Sequence, residues 1–147
     1  MLKDKISKDL TLAMKNKDEK LVMALRNIRT KIIEAEKKQV ETQVSDQEVI
    51  SILSKLAKER KQSIEAYQKA NRNDLVENEI FELKVIESYL PKQMSNEEIT
   101  EKVLEIIKEN NFSTIKDMGK VMKIFNEKYA GQADNKIVSD IVKSNLS

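Results

Sequence analysis

The chain contains one proline, and its position constrains the fold more than any other feature. Pro91 lies in Tyr89-Leu90-Pro91-Lys92-Gln93-Met94-Ser95, after a long stretch whose apolar residues recur at helical spacing. Proline has no amide proton and pushes the preceding residue out of helical geometry, so a helix must end at or before Leu90. Just beyond, Ser95-Asn96-Glu97-Glu98 has the form of a capping box, a hydroxyl for one orphan amide and a carboxylate reaching back to another. A helix stops and the next starts within about six residues. The chain is predicted to divide there, into a helical unit over 1–90 and a second over 91–147. Only two glycines accompany the proline, too few for the tight turns of a sheet protein. The predicted fold class is all-α: about four helices with a long antiparallel pair in the N-terminal unit, and three helices in the C-terminal one.

The periodicity fills in the helices. Leu2, Ile6, Leu10, Ala13 and Met14 predict a first helix to about Asn16. Asp18 is a fair cap for a second, running to about Val40, whose stripe is Leu21, Leu25, Ile28 and Ile32. Arg26 and Arg29 lie on the flank of that stripe, either covering the core edge with their stems or meeting an anion. Ser45-Asp46-Gln47-Glu48 is a second capping box and opens a third helix to about Ala70, with Val49, Leu53, Leu56, Ile64 and Tyr67 inward. Helices two and three are expected to be the long pair. Arg60 projects from the middle of the third stripe, where a guanidinium needs a carboxylate partner; Glu79 and Glu82 are the candidates. Asn73 or Asp74 is expected to cap a fourth helix carrying Val76, Ile80, Leu83, Ile86 and Leu90.

Beyond the proline, a fifth helix is expected from Asn96 to Glu109, burying Ile99, Val103, Ile106 and Ile107. A sixth, capped by Ser113 or Thr114, places Ile115, Met118, Met122, Phe125 and Tyr129 on one arc. Lys116, Lys120 and Lys123 fall within roughly 60° on the opposite side. Gly131 suits a left-handed turn after this helix, and Asp134 caps a seventh with Ile137, Val138, Ile141 and Val142 inward.

The formal net charge is only +2, but it is unevenly spread. Residues 1–72 carry six more basic than acidic groups, residues 73–115 six more acidic than basic, and residues 116–147 two more basic. This is either a set of solvated helix faces or a basic surface for an anion with an acidic middle that docks elsewhere.

The absent residues limit the chemistry. Without histidine or cysteine the chain lacks the commonest general base, the soft metal ligands and the thiol nucleophile. Neither glycine-rich phosphate loop occurs. No catalytic residue, cofactor or metal is expected, and the chain by itself is not expected to be an enzyme. No run approaches the roughly 18 apolar residues of a membrane span, so no membrane partner is expected. The charged start Met1-Leu2-Lys3-Asp4-Lys5 is unlike a signal peptide, and the expected location is cytoplasmic.

Several stretches resemble one known family. Ser63-Ile64-Glu65-Ala66-Tyr67, Arg72, Asp74-Leu75, Tyr89-Leu90-Pro91-Lys92-Gln93 and Lys116-Asp117-Met118-Gly119-Lys120-Val121-Met122 resemble the YqeY-like family, and the likeness continues through Gly131 to Lys136 and Ile137 to Lys143. That family is similar to the tail of the B subunit of the glutamine-dependent aminoacyl-tRNA amidotransferase. In that enzyme the chemistry lies in other domains and the helical tail helps hold tRNA. The resemblance implies a non-catalytic RNA-binding module, with tRNA or another structured RNA as partner. Lys116, Lys120, Lys123 and Lys136 are the candidate RNA contacts; Arg60, Pro91, Gly119 and Gly131 are the candidate structural positions. Gly119 serves either to let another helix approach or to accompany the lysines. Three positions depart from the family pattern. Gln132 replaces an arginine, removing a bidentate phosphate donor, and Asn135 replaces a glycine. Asn71 also stands for a glycine, with a side chain that tolerates the left-handed backbone. The alternatives are a protein–protein adaptor, or an accessory component of a complex with carbon–nitrogen ligase activity using glutamine as amide donor.

Overall fold

A computed structural model describes residues 1–39 and 43–147. Among the described residues seven α-helices follow one another: α1 (Leu2–Lys15), α2 (Glu19–Lys37), α3 (Asp46–Lys69), α4 (Asn73–Glu87), α5 (Asn96–Glu109), α6 (Met118–Lys128) and α7 (Asn135–Asn145). A 3-10 turn over Ile115–Asp117 precedes α6, and no strand occurs among the described residues. The fold is all-α. The expected end of the second helix near Val40 lies outside the described residues. Packing divides the chain into two compact units, Met1–Leu90 and Pro91–Ser147.

The helix ends follow from local chemistry. Ser45 and Ser95 both close capping boxes, each hydroxyl accepting from the amide three residues on while Glu48 or Glu98 reaches back to the serine. Such a cap is worth about 1 kcal/mol. The far ends of α1, α3 and α5 share one device, with Lys17, Asn71 and Asn111 in the left-handed region at φ 55°, 56° and 55°. Each lets the next amide reach back five residues, Asp18 to Ala13, Arg72 to Tyr67 and Phe112 to Ile107. These are Schellman closures, and Asn71 occupies the conformation that the family's glycine would.

In the first unit the most extensive pairings are α3 with α4 and α1 with α2. The expectation that α2 and α3 form the long pair is therefore corrected. Three-residue turns join α1 to α2 and α3 to α4, forcing two hairpins, and α3 packs on α1 and α2 as well as on α4. Ile6, Leu10, Leu25, Ile28, Ile32, Val49 and Leu53 are buried between them. Each such side chain contributes about 1.5–3 kcal/mol through loss of water contact. α4 begins two residues earlier than a cap at Asp74 would give, and one earlier than a cap at Asn73 would. Its N-cap is Arg72, without a side-chain cap bond, and Asn73 and Asp74 are inside the helix. Leu90 lies beyond its end but still packs against this core.

The second unit is a three-helix cluster in which α5, α6 and α7 each contact the other two. Ile99, Val103, Ile106, Val121, Phe125, Val138 and Val142 form its buried centre, with Leu146 closing one end. Three residues expected inward are instead exposed: Met14 in the first unit at 51%, and Ile115 and Ile137 in the second at 53% and 38%. Each lies at the edge of its stripe or next to a helix end, where the wheel angle extends past the area a neighbour covers.

Candidate nucleic-acid interface

α6 begins later than its apolar residues suggest. The chain makes a tighter turn from Ile115 to Asp117, and no side chain caps it at Thr114. The longer rise and faster rotation per residue of a 3-10 turn move Ile115 off the arc shared with Met118 and Met122. Val121 and Phe125 are the fully buried residues of α6, and Tyr129 stacks at a tilt on Phe125 with ring centres 5.1 Å apart. Val121 was missed because it sits at the edge of a methionine-weighted arc, although its spacing of four from Phe125 points to it.

With Val121 and Phe125 inward, Lys120 and Lys123 lie on the opposite side of α6, and both are exposed, as is Lys116 on the preceding turn. Lys120 Nζ is 3.9 Å from an Asp117 carboxylate oxygen with the lysine side chain 71% exposed, a pair worth about 0–1 kcal/mol. Glu127 shares this face at helical spacing from Lys120 and Lys123 and dilutes its charge. Lys136 is exposed in the first turn of α7. Its amide donates to the Asp134 carboxylate at 2.9 Å, which caps the helix. The structure thus groups Lys116, Lys120 and Lys123 on and beside one helix and places Lys136 on another.

Gly119 has open space around it. A Cβ built there would meet nothing within 4 Å, so of the two alternatives for Gly119 the close approach of another helix does not hold. Gly131 has φ 73°, a conformation that costs an L-residue about 1–2 kcal/mol. Its turn is held by the segment after the proline. The Gln93 side-chain amide donates to the Gly131 carbonyl at 2.7 Å and to the Pro91 carbonyl at 2.9 Å. The Met94 amide donates to the Gln132 carbonyl at 2.8 Å. Two stretches named for the family likeness therefore meet, and Gln132 takes part through its backbone. The only sequence signal for this clasp was the presence of both stretches.

In the first unit Arg60 Nη1 donates to Glu82 at 2.8 Å, and Nε lies 3.2 Å from Glu79. The arginine side chain is 27% exposed and the two carboxylates 13% and 15%. Burial acts against the guanidinium charge, but the Glu82 hydrogen bond and the charges of both glutamates outweigh it and raise the Arg60 pKa. Burial also pushes the Glu79 carboxyl above its ordinary value, with the Arg60 charge only partly opposing. The two shifts differ in sign of benefit because Glu82 takes the aligned hydrogen bond. Glu79 Oε2 and Arg60 Nε, both shielded from solvent, meet without hydrogen-bond alignment. A cavity of about 320 Å³ adjoins Arg60 and Glu82 between α2, α3 and α4. Arg26 and Arg29 are exposed and make no ion pair among the described residues.

Among the described residues no group of acidic side chains converges as a metal cage, and no helix is long and apolar enough to cross a membrane. Comparison with known proteins gives relatives over most of the chain. One is "Altered inheritance of mitochondria protein 41, mitochondrial" of Pyrenophora tritici-repentis, 32% identical over 80% of this chain and 67% of that protein. The protein of the same name from Vanderwaltozyma polyspora is 39% identical over 58% of this chain and 46% of its own length. That from Lachancea thermotolerans is 35% identical over 71% and 57%. The matches thus span about half to two thirds of these relatives' length. The family model described as Yqey-like protein matches residues 3–146, and the chain belongs to that family.

Proposed function

We propose that this chain is a non-catalytic RNA-binding module that holds a folded RNA of the transfer-RNA class through its phosphates. The observation that carries this reading is the group of exposed lysines, Lys116, Lys120 and Lys123, on the side of α6 away from Val121 and Phe125. Lys136 is the fourth contact. Lysine is a point-charge donor and no aromatic ring is interleaved among these positions, so the chain recognises backbone position and not base sequence. The family likeness to the amidotransferase B-subunit tail supports tRNA as the ligand class. Cytoplasmic location is part of the proposal; the word "mitochondrial" in the relatives' names is said of those proteins.

The test is a salt titration of tRNA binding. Each phosphate neutralised contributes about 0.7–0.9 to the slope of log affinity against log salt, so three α6 contacts give a slope near −2 to −3. Replacing Lys116, Lys120 and Lys123 together by Glu should flatten the slope and weaken every RNA about equally, with helicity by circular dichroism unchanged. Parent-like affinity and slope in the folded variant would reject the reading. The alternative of a protein adaptor is favoured by one observation, the exposure of Leu104, Ile115 and Ile137 in the second unit. It predicts loss of a protein partner, and not of RNA, when Ile115 is replaced by Ser.

A further inference from the structure

The cavity between α2, α3 and α4 in the first unit has two chemically distinct walls. Its floor is apolar: Ala24, Ile28, Leu56 and Ile86 line it and are all buried. The other wall carries Glu59, Arg60 and Glu82. Arg60 gives Nη1 to Glu82 at 2.8 Å and sets Nε 3.2 Å from Glu79. Glu59 is close enough for its charge to act on the same guanidinium, and it is partly buried with no ion pair or hydrogen bond among the described residues. Three carboxylates therefore share one guanidinium. Burial raises the Glu79 carboxyl, and the Glu82 charge adds to this against the pull of Arg60, as a local shortage of positive charge requires. Lys31 also lines the cavity, but its Nζ lies 3.5 Å from Glu34 and half of its side chain is exposed.

We infer that this cavity binds a small aliphatic ammonium ion, with its charge against Glu59 and Glu82 and its alkyl chain on the floor of Ile28, Leu56 and Ile86. At about 320 Å³ the space is at the small end of ligand pockets, which are mostly apolar with a few convergent polar groups. The ligand class follows from the walls. An anion would meet three carboxylates, and a neutral apolar molecule would desolvate Glu59 without a counter-charge. A metal ion needs a cage of oxygen ligands, and among the described residues no group of acidic side chains forms one. An ammonium needs only charged hydrogen bonds to one or two carboxylates, while its methylenes leave water against the floor. Free amines and the lysine side chain of another molecule share this chemistry. The inference stands independently of the RNA reading.

The test is a titration of the isotope-labelled full chain, followed through its amide resonances by nuclear magnetic resonance. The probes are methylammonium, n-propylammonium and n-butylammonium chloride, with n-butanol and sodium butyrate as controls. The ammonium ions should give saturable shifts centred on the α2, α3 and α4 amides around the cavity. Affinity should rise about fourfold for each methylene added. n-Butanol should bind at least about tenfold more weakly than n-butylammonium, and butyrate should not saturate. Glu59→Gln removes a carboxylate that holds no other side chain, so it should keep the melting temperature and lower n-butylammonium affinity about tenfold. Should that variant fail to fold, the comparison of n-butylammonium with n-butanol on the parent decides. Nα-acetyl-lysine N-methylamide separates the two sources. Binding comparable to n-butylammonium admits a lysine side chain, its absence restricts the site to free amines, and either result upholds the site. No saturable shift with n-butylammonium, equal binding of n-butanol, or unchanged affinity in folded Glu59→Gln would overturn it.

Discussion

Replacing Arg60 by Leu tests how the first unit carries charge in a helix seam. The substitution leaves Glu79 and Glu82, 13% and 15% exposed, facing each other without the guanidinium. Removing one partner of a buried pair costs about 3–5 kcal/mol. Arg60 is 27% exposed, so water reaches the site, and the cost at pH 7.5 should be about 2–3 kcal/mol after that discount. The pH dependence carries the sharper signature. The Glu79 carboxyl is already raised by burial, and loss of Arg60 raises it further. A carboxyl whose folded pKa exceeds its unfolded one binds more protons in the folded state, so its contribution to stability falls as pH rises between the two values. The destabilisation should therefore be greatest at neutral pH and shrink to under about 1 kcal/mol near pH 5, as the site takes up a proton. The assay is urea unfolding by circular dichroism from pH 5 to 8, with hydrogen exchange of α3 and α4 amides assigning the loss to the first unit. A cost below about 0.5 kcal/mol at pH 7.5, or one that does not change with pH, would refute this account.

The two glutamates should also separate. Glu82→Gln, which weakens the aligned charged hydrogen bond, should cost about 1.5–3 kcal/mol, while Glu79→Gln should stay within about 1 kcal/mol of the parent at pH 7; equal losses in urea melts would contradict the assigned geometry. Gly119→Ala should stabilise the second unit by about 0.5–1 kcal/mol, since the added Cβ meets open space in a helix; a lower melting temperature would reveal a steric contact. Ser95→Ala should cost about 1 kcal/mol through the lost cap, and exchange should place it in α5 with α3 unaffected. Lys17→Gly should leave stability level or slightly raised, because Lys17 adopts φ 55° at a cost of about 1 kcal/mol that glycine avoids; a loss exceeding 1 kcal/mol would argue against it.

Much of the fold could be read from the residues because its determinants are local. A proline, two capping boxes and apolar residues at spacings of three and four act within one or two turns of chain, so α5 was expected over Asn96–Glu109, the bounds it has. Arg60 could be paired with Glu79 and Glu82 because a charge in an apolar seam has few affordable alternatives. The tertiary structure alone decided which helices pair, since both α2–α3 and the two hairpins satisfy the same stripes and only turn length and packing distinguish them. It also rotated the buried face of α6 to Val121, exposed Ile115 through a 3-10 turn, and left Gly119 in open space. The clasp from Gln93 to Gly131 joins positions 38 residues apart. Its donors and acceptors are a side-chain amide and backbone carbonyls, which carry no periodic pattern. Such contacts exist only once α5, α6 and α7 have closed around their core.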